Sequence, residues 1–309
     1  MPDLPTAPLP DHLTVLERGW LSSNNILIHG PDGVTLVDTG HGLHAAQTLA
    51  LIEHALAGQP LLRIINTHLH SDHCGGNAAL LQRWPVPLWL PPGQFDAVAR
   101  WDDAALSYRR TGQYCPPYRG EQALRPGTTM RLGVHDWQLI AAPGHDPDAL
   151  MLFEPEHGVL ISADALWQNG FGVVFPELEG EAAFDDVAAV LDLIEALPVR
   201  WVIPGHGAPF SDVAAALQRA RLKLQGWRRE PARHERYAAK VLLKYHLMEV
   251  RQEPLAALQQ WILQTPLLAT LHRRAATSQS LADWGGGVLD ELLAGGALLL
   301  RDDLVLDAA

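Results

Sequence analysis

The stretch Thr67-His68-Leu69-His70-Ser71-Asp72-His73 constrains this chain more than any other feature. It follows a short apolar run, residues 62–66, that reads as a buried strand. Four side chains able to bind a metal ion fall within six residues. In a compact loop, His68 and His70 can face one ion while Asp72 and His73 turn to a neighbouring one. Imidazole and carboxylate together suit zinc, and also iron or manganese. Gly75-Gly76 then lets the chain turn closely into a following helix, expected over residues 77–83.

Three further ligand candidates stand downstream, each at a strand end or in a turn. His145 sits in Pro143-Gly144-His145, Asp164 in Ser162-Ala163-Asp164, and His206 in Pro204-Gly205-His206-Gly207. A glycine before each histidine relaxes the backbone and permits close approach to an ion. Around these motifs, strands are expected at 23–29, 34–38, 130–132, 138–141, 150–153, 159–161 and 201–203. Helices are expected at 43–57 and 184–197. Strands first, then helix and strand in alternation, indicate an α/β sandwich rather than a bundle.

Asp38-Thr39-Gly40, the histidine loop at 67–73, Pro143-Gly144-His145, Ala163-Asp164 and the PGHG run at 204–207 share a recognisable order. In that order the chain resembles hydrolases of the metallo-β-lactamase fold, over about residues 15–211. The resemblance implies a four-layer αβ/βα sandwich with two metals along one edge. It places His68, His70 and His145 on the first metal, Asp72, His73 and His206 on the second, and Asp164 between them. Asp38 steadies the loop from behind. Two Zn2+ per chain are implied, with iron or manganese as alternatives. The implied reaction is hydrolysis of a small carboxylic derivative (thioester, lactone or ester) by a metal-bridging hydroxide. Asp72 serves as proton shuttle and Asp164 as bridge. Two other chemistries of the family stay open: a metal-dependent phosphodiesterase or ribonuclease, and a mononuclear iron enzyme of the persulfide dioxygenase type.

Composition narrows the setting. Apolar residues make up 48% of the 309 and charged residues 19%, which is globular. The net charge of −12 argues against a general nucleic-acid coat protein. Two cysteines, Cys74 and Cys115, exclude a disulfide scaffold and a thiolate-only zinc site, and both read as packed thiols. No apolar run approaches the roughly 18 residues of a membrane span. The proline-rich start carries no signal region, so a soluble cytoplasmic protein is expected, with residues 1–12 as a loose arm. The ten histidines outside the motifs, His12, His135 and His157 among them, receive no role.

Substrate selection falls to the remaining parts. The insertion 93–127 is long for a connection and rich in aromatic and basic residues. It reads as a mobile lid over the metals, with Tyr108, Arg109 and Tyr114 gripping a small, anionic or flat substrate. Trp167 and Phe171 read as an apolar wall or, equally, as a contact in a homo-oligomer. Residues 212–309 read as a smaller, mostly helical, winged-helix-like domain, divided from residues 1–211. Its first helix is expected at 213–227 with Ser211 as cap. Residues 1–211 carry net −14 and residues 212–309 net +2, and residues 219–251 hold ten basic side chains. That basic segment, with Arg228 and Arg229 at its centre, either docks on the acidic body or steers an anionic substrate. The acidic body, and the lack of an aromatic-basic motif, weigh against nucleic acid as a partner.

Overall fold

A computed structural model describes residues 8–308. Six strands form the first sheet: β1 (Leu13–Leu16), β2 (Asn25–Gly30), β3 (Gly33–Val37), β4 (Leu61–Ile65), β5 (Leu88–Leu90) and β6 (Gln122–Ala123), in that order. It is antiparallel from β1 to β3 and parallel from β3 to β6. The second sheet contains β7 (Thr129–Leu132), β8 (His135–Ala141), β9 (Leu150–Glu154), β10 (Val159–Ala163) and β11 (Trp201–Pro204). Only the β10–β11 pair in it is parallel.

Successive side chains of a strand point to opposite faces, and here both faces of each sheet are covered. Ile26 and Ile28 turn inward to a core between the sheets, where they join Val37, Ile65, Trp137, Leu150 and Leu152. Leu27 turns outward with Leu36 and Ile64, beneath α1 (Ala45–Leu56) and α3 (Asn77–Arg83), which contribute Ile52 and Leu80. On the second sheet Met151 and Phe153 turn outward under α7 (Phe184–Ala196), against Val187 and Leu191. Double burial explains why β9 reads as a continuous apolar run rather than an alternating one. The result is the expected helix–sheet–sheet–helix sandwich.

Strand direction then positions the chemistry. β8, β10 and β11 run the same way in the second sheet, so the loops that follow them emerge at one edge. In the first sheet β3 and β4 are parallel, and β4 leads directly into the histidine loop and α2 (Ser71–Cys74).

Several expectations shift. The insertion 93–127 folds onto its own sheet through α4 (Phe95–Arg100), α5 (Tyr108–Thr111) and β6, which pairs with β5. Its Tyr108 and Tyr118 are buried in the outer core of the first sheet. Residues 1–7 of the expected arm lie outside the described residues. No helix among the described residues is long and apolar enough to cross a membrane.

The short α6 (Phe175–Glu179) precedes α7, and α8 (Val213–Arg229) comes after β11. Asp212, rather than Ser211, caps α8: its side chain accepts a hydrogen bond from the Ala215 N–H. Ala216, Leu217, Ala220, Leu224 and Trp227 form the buried face of α8 and belong to the core of the sandwich. A separate core unites α9 (Pro231–Val250), α10 (Leu255–Gln264), α11 (Pro266–Arg274) and α12 (Leu281–Ala294). It also takes in a small sheet ordered β12 (Gln252–Pro254), β14 (Leu304–Asp307), β13 (Leu298–Arg301). On packing we place the division at the α8–α9 joint rather than at residue 211.

Lys223 of α8 is packed among Phe171, Trp227 and Tyr237, its Nζ within 5.0 Å of each ring centre, and donates to the Phe171 carbonyl at 2.8 Å. Burial lowers its pKa from 10.5 to about 8. The unfolded chain therefore binds this proton more tightly, and stability should rise with pH between about 8 and 10.5. Urea unfolding of wild type and Lys223→Met across that window checks the point. The variant should lose the rise, and identical pH dependence in both would contradict it.

Candidate metal centre

The five motifs meet at the shared edge. His68 Nε2 lies 3.1 Å from His70 Nδ1, which lies 2.8 Å from His145 Nε2. His145 donates its Nδ1–H to the Val173 carbonyl at 2.5 Å, so its Nε2 carries a lone pair. Thr67 donates its hydroxyl to Asp38 Oδ2 at 2.7 Å and can then only accept from His68 Nδ1 at 3.2 Å. His68 Nε2 thus also carries a lone pair. Burial, with mutual repulsion behind it, pushes the pKa of His68 well down, and burial takes those of His70 and His145 to about 4. Three neutral imidazoles converging on one point form a candidate ligand set for a metal ion.

The second group lies alongside. His206 Nε2 is 3.0 Å from Asp72 Oδ2, and His73 Nε2 is 3.9 Å from that same oxygen. Asp164 faces both groups. Its Oδ2 is 3.4 Å from His145 Nε2 and 3.9 Å from His206 Nε2, while its Oδ1 is 3.4 Å from His73 Nε2. His68, His70 and His145 each offer a ligand atom within 4.8 Å of the others, and so do Asp72, His73 and His206. His73 Nε2 is buried without a hydrogen-bond partner, aimed between two carboxylates. Such an atom fits a bound cation.

Two glycines make this packing feasible. Gly144 has φ +135°, a region that side-chain-bearing residues rarely adopt, and it delivers His145. A Cβ on Gly205 would stand 2.1 Å from Asp164 Oδ1 and 2.8 Å from His73 Cε1. Behind the ligands, Asp38 Oδ2 accepts the Nδ1–H of His73 at 2.7 Å and Asp38 Oδ1 the backbone N–H of Thr67 at 2.9 Å.

The ligands open onto a cleft of about 520 Å³. Trp20 stacks on His206, and Phe175 stands edge-on to His70 and His145. α9 supplies much of the far wall through Tyr237, Lys240, Val241, Lys244, Tyr245 and Met248. Their spacing of three to four residues marks one helix face. That signal is present in the sequence but is masked there by the density of basic residues. Nothing in the sequence singles out Trp20.

The substrate residues expected from sequence fare unevenly. Trp167 lines the cleft and donates its indole N–H to Asp164 Oδ1 at 3.1 Å. Tyr108 does not: it is buried, donating to the Leu69 carbonyl at 2.8 Å and touching Cys74 Sγ. Phe171 is buried behind His145 and Asp164, packed on Trp227. Neither Arg109 nor Tyr114 lines the cleft; the exposed Tyr114 gives its backbone N–H to Glu249. The insertion reaches the cleft through Gln113. Aromatic residues in a segment that folds back on its own sheet fill that sheet's outer core instead. The basic segment also divides. Arg221 pairs with Asp192 and Glu195, and Arg228 with Asp185, which docks α8 on α7. Lys240 and Lys244 line the cleft but pair with Glu291 and Asp307.

Two measurements probe the centre. Gly205→Ala should displace Asp164 and His73 and lower metal affinity by roughly 10–100-fold, the range seen when ligand orientation is lost. Competition against a chelator reads this, and unchanged affinity would contradict the crowding. The second concerns protons. Burial alone would lower the pKa of His73, but Asp164, Asp38 and Asp72 outweigh it and hold the imidazole well above its usual 6.5. In the metal-free protein its contribution to stability is full below 6.5 and is lost as pH rises through the raised value. An ion arriving at Nε2 must expel that proton. Calorimetric zinc titration in buffers of different ionisation enthalpy should detect its release at neutral pH, and a smaller release in Asp38→Asn.

The model of the metallo-beta-lactamase superfamily matches residues 18–206. A hydroxyacylglutathione hydrolase of Xylella fastidiosa is 30% identical over 190 residues, 60% of this chain and 60% of that one. The chain thus spans about 60% of that relative's length. An acyl-coenzyme A thioesterase of Gallus gallus is 26% identical over 212 residues, 62% of this chain and 76% of that one. A beta-lactamase domain protein from Burkholderia ambifaria has a solved structure with TM-score 0.58 and 23% identity. It covers 98% of this chain and 94% of its own, so the likeness in fold runs through the C-terminal helices. With the sandwich, its edge loops and this match in agreement, the chain belongs to the metallo-beta-lactamase superfamily.

Proposed function

We propose that the chain is a dinuclear-metal hydrolase of thioesters, with zinc as its ion and lactones and oxygen esters as neighbouring substrates. The observation that carries this reading is the pair of ligand groups sharing Asp164 at the floor of a largely apolar cleft. The thioester bond is favoured by two relatives, one named for a glutathione thioester and one for acyl-coenzyme A.

His68, His70 and His145 would hold one ion, Asp72, His73 and His206 the other, and Asp164 both. Two such ions supply Lewis acidity toward a carbonyl and lower the pKa of water. The chain's own residues do the rest. Val173, Phe175, Tyr237, Val241, Met248 and Leu292 shape an apolar slot for the acyl group and exclude bulk water. Burial would raise the pKa of Asp72, but His73 and the bond from His206 outweigh it and hold it at about 2. Asp72 is therefore ionised at neutral pH and stands at the cleft wall, where it would accept a proton from the attacking water and pass it to the departing sulfur. Trp167 fixes Asp164 by its indole N–H. Since Lys240 and Lys244 are already ion-paired, the slot selects an acyl group more than an anion.

Metal-loaded protein assayed against thioesters, lactones, phosphodiesters and RNA tests the reading. Thioesters should turn over fastest, with two zinc ions per chain. Asp164→Ala should lose metal, and kcat/KM should fall by at least roughly 100-fold, as when one preorganised electrostatic contact is removed. Turnover of phosphodiesters alone, or a single iron with dioxygen consumption, would overturn it.

A further inference from the structure

We infer that His12, His135 and His157 form a second metal site, suited to a single zinc-class divalent ion, at the edge of the sandwich opposite the main centre. The three side chains come from separate elements: the segment ahead of β1, the first residue of β8, and the β9–β10 turn. β8 has seven residues, so the two edges lie about 23 Å apart at the rise of a strand. None of the three histidines belongs to the centre described above, and the inference does not rest on the proposed function.

Geometry favours an ion over a simple polar cluster. The rings of His12 and His135 stack with centroids 4.1 Å apart, and His157 stands 4.9 Å from His135 and 5.3 Å from His12. One ligand atom from each lies within 4.8 Å of the others. His135 gives its Nδ1–H to Glu156 at 2.9 Å, and His157 gives its own to Glu154 at 2.9 Å. A carboxylate only accepts here, so each ring is held in the tautomer whose Nε2 carries the lone pair. Carboxylates placed behind histidines in this way are what orients imidazole toward a metal. Glu154 is itself buried and fixed by the backbone N–H groups of Glu156 and His157. His12 Nε2 is buried with no hydrogen-bond partner. The three residues are half-buried, which leaves a path for an ion from solvent and a fourth position for water. An imidazole set of this kind prefers zinc, nickel or copper to magnesium or calcium. The bound ion would tie the segment leading into the first sheet to two strands of the second.

The test uses full-length protein whose main centre is already saturated with zinc. Wild type, His135→Ala, His157→Ala and His12→Gln are then equilibrated with free zinc, and metal per chain is measured by elemental analysis. Wild type should take up one ion more than each variant. Added zinc should raise the melting temperature of wild type and leave that of the variants unmoved. His157 sits in a half-exposed turn, so His157→Gln keeps the test valid if an alanine variant misfolds. Equal metal content in wild type and variants, or an extra ion that persists in all of them, would overturn the inference.

Discussion

The carboxylate of Asp38 is the contact on which the metal edge depends. It is 1% exposed and accepts from the Thr67 backbone, the Thr67 hydroxyl and His73 Nδ1. Asp38 itself has φ +58°, a left-handed conformation that costs a non-glycine residue about 1–2 kcal/mol. In exchange, one group at the end of β3 fixes both ends of the histidine loop. Thr67 passes the order on to His68, and His73 is aimed at the carboxylates beyond. Without Asp38, His73 would keep only Asp164 and Asp72 as opposite charges, and its Nδ1–H would be left without this acceptor.

From that anchor follows an electrostatic arrangement that the protein alone does not complete. Asp72 and Asp164 are buried and both are held well below the usual carboxylate range. Buried charges persist only when opposite charge is close. His73 supplies some of it when protonated, which is why its pKa is raised where those of its neighbours fall. Divalent ions would supply more, and metal uptake, protonation and folding of the edge are therefore linked.

The residues that converge at the candidate centre were legible because their chemistry and their order are local: each stands in a short motif beside a glycine or at a strand end. The sandwich was legible for a similar reason, since doubly buried strands such as β9 declare themselves as apolar runs. What stayed hidden depends on tertiary packing. Tyr108 and Phe171 look like substrate contacts until the insertion folds onto β5 and α8 covers the second sheet. The face that α9 turns to the cleft was obscured by its lysines and arginines, whose partners Glu291 and Asp307 lie far along the chain. Composition changes near residue 211, where the sequence suggests a boundary, while the packed core changes near residue 230, a difference that only tertiary packing reveals.

α9 both packs into the core of the C-terminal helices and forms a wall of the cleft. The main ligand set runs from His68 to His206, whereas the wall begins at Tyr237. During synthesis the N-terminal part of a chain leaves the ribosome first and folds as a unit. The candidate ligand residues therefore leave the ribosome before the cleft wall that α9 supplies. A nascent or truncated chain ending ahead of α9 would present an ion-binding edge open to any molecule small enough to diffuse in. On this order of synthesis the last quarter of the chain, from α9 onward, completes the cleft after the residues that it walls have emerged.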